Sequence, residues 1–256
     1  MSAAQPGFAP AHVVVLAAGR GSRLGALGEE RPKWLLEVGD RTIADRQLEG
    51  IRSAQDAVGS ISVVTGHASA IIEAWLEARE EDVGVIFNPE FAEINNWWSL
   101  LRALRELPEE GPVVVINADL LTEPSAVAGF VRASASGEAE AMLAVDLERR
   151  LTDESMKVSR GPEGTLLRIG KIGIEEPVGE YVGMLAARGE GLASLRAGLE
   201  VFVDRDECVN EWYEGAVGRT AAAGTPWAIW PMPTGSWVEI DDDGDLEAAR
   251  ALVASP

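Results

Sequence analysis

Cysteine and histidine are scarce in this chain: one Cys, at position 208, and two His among 256 residues. A lone cysteine excludes an internal disulfide and fits a reducing compartment. So few soft ligands leave little material for a zinc site. Basic residues are also short, with 22 Lys plus Arg against 42 Asp plus Glu and a formal net charge of -20. A field of that sign repels nucleic-acid phosphates and anionic membranes, so neither is an expected partner. An anionic ligand has to be captured locally, by a few placed cations and backbone amides. Nowhere do about 18 apolar residues run together, which excludes an ordinary spanning helix. Residues 1–11, "MSAAQPGFAPA", have no basic region and no apolar core. They read as a short disordered lead and not as a signal peptide. No repeat with a solenoid period appears. The expected location is the cytoplasm, and a homodimer is left open.

What is present is an α/β rhythm. With 46% hydrophobic residues over this length, the chain can build one large domain or two small ones. The runs at 12–16, 60–66, 83–88 and 112–119 read as buried parallel strands, and 42–56, 67–80 and 96–107 as helices between them. That alternation predicts a doubly wound, mostly parallel sheet with ligands at the carboxyl ends of its strands. After about residue 138 the pattern changes to antiparallel strands at 140–146, 157–172 and 180–187, with "GPEG" as a hairpin turn. Helices are expected at 189–204 and 207–223, short strands at 227–233 and 236–241, and a closing amphipathic helix at 243–253. No low-complexity linker divides the halves. The expectation is one domain over 12–256: a nucleotide-binding part at 12–137, an inserted acceptor-binding part at 138–234, and a final strand and helix at 235–256.

The stretch "LAAGRGSRLG" (16–25) sits between the first strand and its helix. A glycine loop there exposes backbone N–H groups that hold phosphate, helped by the helix dipole. It fits neither the Walker pattern nor G-x-G-x-x-G, because Leu24 takes the last glycine position. A tight turn with two solvated arginines is the plainer alternative. A few residues on, "RPKWLLEV" places Pro32 and Lys33 as a rigid, positive point beyond the loop.

Two carboxylate groups follow. Asp119 ends the strand "VVVINAD", at the sheet's carboxyl edge. In "SWVEID" the β period puts Glu239 and Asp241 on one side and Ile240 on the other. Oxygen ligands of this kind suit Mg²⁺, which keeps its other positions for water and phosphate. Acidic runs such as "DDDGD" are more often solvated turns or helix caps, and Asp243 and Asp245 read that way.

Together "LAAGRGSRLG" and "RPKWLLEV" resemble the opening signature of the nucleotidylyltransferases, L-A-A-G-x-G-[ST]-R-L followed by P-K-x-[LM]. The late segment from Trp237 to Asp241 is similar to that family's W-x-[DE]-[IV]-D. The resemblance implies a Rossmann-like three-layer α/β/α nucleotidyltransferase fold. It also implies a loop (Ala17, Ala18, Gly19, Gly21, Ser22) that embraces a nucleoside triphosphate. Arg23 and Lys33 would neutralise that triphosphate, and Asp119 and Asp241 would hold Mg²⁺ with Glu239 as a further ligand or orienter. Arg23, Lys33, Asp119 and Asp241 are then the expected catalytic residues.

The segment "NPEFAEINNWWSLLRAL" (88–104) falls where this family places base recognition. Asn88, Asn95 and Asn96 are candidates, with Ser99 behind them, because a side-chain amide donates and accepts at once. One asparagine of the pair is also expected as a helix cap. "NNWWSL" is similar to the N-N-x-x-S-L form of the phosphocholine cytidylyltransferases, and departs from the glycine-rich segment of sugar-nucleotide enzymes. "DESMKV", "GKIG", "GEYVGM" and "NEWYEGAV" likewise resemble cytidylyltransferases acting on phosphocholine or small phosphonates. The resemblance thus implies CTP and a small phosphorylated or phosphonate acceptor as partners. Lys157 and Lys171 would meet the acceptor's phosphoryl group. Glu180 and Glu211 would take a cationic or hydroxyl tail, with Trp212 or Tyr213 packing on it. Trp227 and Trp230 read as core or interface aromatics. A sugar-1-phosphate or cyclitol-phosphate nucleotidylyltransferase is the alternative, and a silent nucleotide-binding regulator a third reading.

Overall fold

The computed structural model describes residues 8–108 and 110–254. Of the expected disordered lead, residues 1–7 lie outside the described residues. From Phe8 onward the chain is placed: the Ala9 N–H donates to the Ala135 carbonyl, and Ala11 opens the first strand paired with Val58. The sheet therefore begins one residue earlier than the hydrophobic run suggests.

In chain order the strands are β1 (Ala11–Ala17), β2 (Glu37–Val38), β3 (Arg41–Thr42), β4 (Val58–Thr65), β5 (Gly84–Phe87), β6 (Val113–Asn117), β7 (Leu120–Thr122), β8 (Ala141–Asp146), β9 (Lys157–Arg160), β10 (Leu166–Gly170), β11 (Gly179–Ala187), β12 (Trp227–Pro231) and β13 (Trp237–Glu239). The helices are α1 (Gly25–Glu30), α2 (Ile43–Ser53), α3 (Ser69–Ala78), α4 (Asn96–Glu106), α5 (Pro124–Ser136), α6 (Gly189–Glu200), α7 (Tyr213–Ala222) and α8 (Asp243–Ala254).

The parallel core runs β6-β1-β4-β5, and β11 joins it antiparallel to β6. β11 is buried along all nine residues. One of its edges carries β6 and then β9, while β8 pairs along the other. β12 extends the sheet beyond β8, in parallel. The first half of the chain and the inserted half thus share one continuous sheet.

Alternation along β1 and β6 feeds two cores, which is what makes three layers. Val13, Val15, Val114 and Ile116 pack with α2, α3, α5 and α8 on one face. Val14, Leu16, Val113 and Val115 pack with α4, α6 and α7 on the other. The strands are apolar on both faces because helices cover both. Local signals agree: Thr42 and Asp45 form a reciprocal capping box on α2, worth about 1 kcal/mol. Among the described residues no helix is long and apolar enough to cross a membrane.

Two expected elements differ. The strand expected to reach Asp119 stops at Asn117, and Asp119 lies in the turn before β7. The helix expected over 207–223 is broken: a short 3-10 turn at 206–208, a turn at 209–210, an irregular step to the extended Trp212, then α7. The cause lies at the start of α4. The Asn95 N–H donates to Val209 O, the Asn95 amide to Asn210 O, and Trp97 Nε1 to Cys208 O. The Val209 and Asn210 carbonyls, which a continuous helix would have used, are taken by another element.

Candidate active site

A cavity of about 540 Å³ opens at the carboxyl ends of β1 and β6. Its first wall is the glycine loop. Gly21 adopts the left-handed conformation, φ 62°, and the loop is backed by Gly28, where a Cβ would stand 2.1 Å from the Gly21 carbonyl oxygen. Only glycine at both positions lets α1 lie this close beneath the loop. Ala18, Gly19 and Arg23 line the cavity. Ala17 is buried at the end of β1, while Gly21 and Ser22 form the turn behind the wall.

Lys33 is not solvent-facing: its side chain is 15% exposed. Its ammonium donates to Asp119 Oδ2 at 3.2 Å and to Asp241 Oδ1 at 2.5 Å, and Arg23 Nη1 meets Asp241 Oδ2 at 3.0 Å. This meeting of three segments is built from behind. Trp34, fully buried beside Lys33, donates its indole N–H to Gln47 Oε1. The Gln47 amide in turn donates to the carbonyls of Asn117 and Leu120, which flank the turn holding Asp119. The small β7–β13 ladder sets Glu239 opposite Leu120, and the Ile240 N–H then donates to Asp119 O at 3.0 Å. Beyond it, the Asp241 and Asp242 N–H groups donate to Asp245, while Asp242 accepts from the Gly244 and Asp245 N–H groups. Asp245 therefore caps α8 as expected. Its reciprocal partner is Asp242, and Asp243 only opens the helix.

Asp119 and Asp241 converge on a single cation, and both offer hard oxygen atoms, so the pair fits Mg²⁺. Among the described residues no three carboxylate, imidazole or thiol groups gather as a ready metal cage. Glu239 lines the same cavity, close enough for Asp119 and Asp241 to act on its charge. The two neighbours differ in charge state. Burial pushes Asp241 up, but Lys33 and Arg23 outweigh it and hold the carboxyl below its usual value. Glu239, whose side chain is open to the cavity, is pushed up to about 8, first by the desolvation of the surrounding protein and then by Asp119 and Asp241. Lys33 is lowered by burial, yet Asp119 and Asp241 raise it above the ordinary lysine value.

The expected base-recognition residues divide. Asn95, Asn96 and Ser99 line the cavity. Asn88 does not: it is fully buried, donates to Ser99 Oγ at 3.0 Å and accepts from the Glu90 N–H. Its amide orients Ser99 and has no route to a base. Asn95 caps α4 as expected, and Asn96 Oδ1 accepts the Tyr213 N–H that opens α7.

In the inserted half the structure brings Lys171, Glu180 and Trp212 to the cavity. Lys157 is spent elsewhere, its ammonium donating to the Lys171 carbonyl at 2.9 Å with the Asp153 and Ser155 carbonyls near 3.5 and 3.4 Å. It braces the loop that presents Lys171. Glu211 does not line the cavity; Glu214, one helical turn later, does. Tyr213 is core, its hydroxyl bonded to Tyr181 and to Asn117. Trp227 is fully buried, and Trp230 packs edge-on against Phe130.

Sequence reasoning missed Asn117, Arg149 and Glu214 in the cavity wall, and Gln47 and Asp146 behind it. Gly183, φ 83°, sits at the irregularity in β11 against Asn117, where a Cβ would lie 3.0 Å from its amide nitrogen. Burial is the first cause that pushes Glu214 up to about 7.

The chain is 28% identical over 271 residues to CMP-5'-(3-aminopropyl)phosphonate synthase of Streptomyces rubellomurinus, covering 99% of this chain and 40% of that protein. It is 30% identical over 108 residues to choline-phosphate cytidylyltransferase of Streptococcus pneumoniae, covering 41% of this chain and 43% of the relative. The chain thus spans about two fifths of the length of these relatives. Among solved structures, CTP:phosphocholine cytidylyltransferase from Streptococcus pneumoniae superposes with a TM-score of 0.75 at 18% identity, covering 96% of this chain and all of that one. The inositol-1-phosphate CTP transferase from T. maritima gives the same score and identity, covering 95% and 96%. At that identity the likeness establishes the fold, a mixed, mostly parallel nucleotidyltransferase sheet with flanking helices. The description "MobA-like NTP transferase domain" matches residues 13–211, from the first strand through the glycine loop, Lys33 and Asp119. With most of the chain matched, the protein belongs to the MobA-like NTP transferase family of nucleotidyltransferases.

Proposed function

We propose that the protein transfers CMP from CTP to a small phosphonate or phosphocholine-like acceptor, with Mg²⁺ as its metal, and releases pyrophosphate. The observation that carries this reading is the meeting of Lys33 with Asp119 and Asp241 beside the glycine loop. Backbone N–H groups, two cations and a pair of hard carboxylates are what a metal-bound triphosphate requires. The printed names of the two curated relatives, one a CMP-phosphonate synthase and one a choline-phosphate cytidylyltransferase, support cytidine and a small acceptor.

The chemistry follows from charge. An acceptor oxyanion attacks the α-phosphorus in line; the new O–P bond forms as the bond to the α,β-bridging oxygen breaks. Pyrophosphate leaves with that electron pair. The nucleophile enters as an anion, so no side chain has to take a proton. Lys33, Arg23 and the loop amides position the triphosphate and neutralise the charge that builds on it. Asp119 and Asp241 hold the metal, which supplies further neutralisation of phosphate oxygens when bound. Residues 12–137 carry the nucleotide and 138–234 the acceptor, and 235–256 return Asp241 to the site. Asn96 and Ser99 face the base.

The test is pyrophosphate release with CTP, UTP, ATP, GTP and dTTP against a set of phosphonates and phosphate monoesters. CTP with a small non-sugar acceptor is the expected pair. Faster turnover of another triphosphate with a sugar-1-phosphate or cyclitol phosphate would replace this reading with the sugar-type one.

A further inference from the structure

Asn117 ends β6 and lines the cavity. On one side its register partner is Leu16 of β1, which leads into the glycine loop. On the other stands Gly183 of β11, and Asp119 follows two residues later. The side chain thus sits where the half that carries the glycine loop meets the inserted half. Its amide has a fixed polarity. The Tyr181 and Tyr213 hydroxyls are buried and 2.9 Å apart, and the Tyr213 oxygen lies 2.9 Å from Asn117 Oδ1. Burial holds both phenols well above their ordinary pKa, so each keeps its proton.

Two hydroxyl protons then lie along this line, and each needs an acceptor. Tyr181 donates to Tyr213, Tyr213 donates to Asn117 Oδ1, and the line ends there. With the amide turned over, its NH2 would donate to Tyr213 and Tyr213 to Tyr181. The Tyr181 proton would then be buried without an acceptor, because no other partner serves that hydroxyl among the described residues. The oxygen is therefore committed inward, and the NH2 is what Asn117 offers the cavity. Among the described residues none accepts from it. Gly183, φ 83°, leaves it room, since a Cβ there would stand 3.0 Å from the amide nitrogen. Tyr213 is itself anchored through its main chain, whose N–H donates to Asn96 Oδ1 at 3.0 Å. Around Asn117 the cavity wall carries Asp119, Glu214 and Glu239, which accept and do not donate when ionised. A phosphoryl group passing between the halves needs donors from elsewhere, and this NH2 is already oriented for it.

We propose that Asn117 is a further catalytic residue, whose NH2 donates to a non-bridging oxygen of the α-phosphate while that phosphoryl group is transferred. Tyr213, backed by Tyr181, is the positioning residue that keeps the NH2 turned toward it. No proton leaves Asn117 and no bond forms to it. The hydrogen bond orients the phosphoryl group and offsets charge on its oxygens in the transition state. The inference rests on the nucleotidyl-transfer reading and is independent of which acceptor is used.

The experiment measures kcat and KM for CTP, with 2-aminoethylphosphonate or phosphocholine as acceptor, whichever the wild type uses faster. The variants are Asn117→Ala, Asn117→Asp, Tyr213→Phe and the Asn117→Ala/Tyr213→Phe double variant, with melting curves alongside. Asn117→Ala should lower kcat roughly a hundredfold and move KM for CTP by less than about threefold. Asn117→Asp keeps an acceptor for Tyr213 but turns a carboxylate toward the phosphate, so it should lose at least as much. It decides if Asn117→Ala fails to fold. Tyr213→Phe should lower kcat about tenfold and add little in the double variant, because both changes act through one amide. The ratio of rates with the Rp and Sp α-thio analogues of CTP should also change in Asn117→Ala, which lost stability alone would not cause. Wild-type kcat and an unchanged thio ratio in folded Asn117 variants would overturn the inference while leaving CMP transfer intact. So would a rise in KM alone that vanishes with 2′- or 3′-deoxy-CTP, which would assign the NH2 to the ribose. No CMP transfer by the wild type to either acceptor would overturn both this inference and the reading it rests on.

Discussion

The indole N–H of Trp237 donates to the buried carboxylate of Asp146 at 2.9 Å, tying the end of β8 to the start of the strand that carries Glu239. Thr234 and the N–H groups of Glu148 and Arg149 also donate to Asp146. Burial pushes this carboxyl up, but the four donors outweigh it and hold it below the usual aspartate value. A depressed folded-state value means stability that is present above the unfolded aspartate pKa, about 3.9, and lost as pH falls through the folded one. Asp146→Ala should cost about 1–3 kcal/mol for each buried donor it strands. Melting temperatures between pH 6 and 3 should fall more steeply for the wild type than for Asp146→Asn. Equal slopes would mean that Asp146 is not ionised in the fold.

Glu214 has the opposite sign. Burial raises its folded value to about 7, above the unfolded glutamate value of about 4.3. The folded state therefore favours the protonated acid, and stability declines as pH rises from the unfolded value through the folded one. Glu214→Gln should be close to neutral for melting at pH 4 and stabilising at pH 8. A variant less stable than wild type at both pH values would remove this assignment.

Gln47 is the brace behind the turn that holds Asp119. Gln47→Ala strands the Trp34 indole N–H and two carbonyls that flank Asp119. The expected cost is about 1–3 kcal/mol per buried group left unpaired, with a fall in kcat larger than any rise in KM for CTP. Unchanged kcat in the destabilised variant would show that the turn holds its shape without the brace.

Lys33→Ala and Arg23→Ala should each weaken CTP use about ten- to more than a hundredfold, the loss of one charge-assisted contact of roughly 1.5–3 kcal/mol. The two should differ in stability. Arg23 has a 61% exposed side chain, whereas Lys33 is enclosed between Asp119 and Asp241. Removing Lys33 leaves those carboxylates facing each other without their cation, so only that variant should melt earlier. The same pairing means that deleting Asp119 or Asp241 brings no relief of repulsion. Near-wild-type turnover of both variants at low CTP would place the triphosphate elsewhere.

The layered sheet was legible because runs such as "HVVVL" are apolar on both faces, and the meeting of Lys33 with Asp119 and Asp241 because each lies in a short local motif. Asp119 was placed by the strand before it, though the strand stops two residues short. The inserted half was less legible, because there the pattern depends on distant partners. Glu211 is what the resemblance of "NEWYEGAV" implies; in the structure Asn95, Asn96 and Trp97 break the helix expected over 207–223, and Glu214 lines the cavity instead. Lys157 lies in a plausible motif, but three carbonyls surrounding its ammonium withdraw it from the cavity. Asn88 is withdrawn likewise by Ser99 and Glu90. Gln47 and Asp146 carry no local signal, since their partners are far away in the chain.

The most direct test follows the label from [α-³²P]CTP into an acceptor conjugate, with 2-aminoethylphosphonate as acceptor. Wild-type protein with Mg²⁺ should form labelled product, EDTA should stop it and added Mg²⁺ restore it. Folded Asp119→Asn and Asp241→Asn should form none. Label transfer by either variant at the wild-type rate, or undiminished transfer in EDTA, would contradict the assignment of these two carboxylates to the metal and the triphosphate.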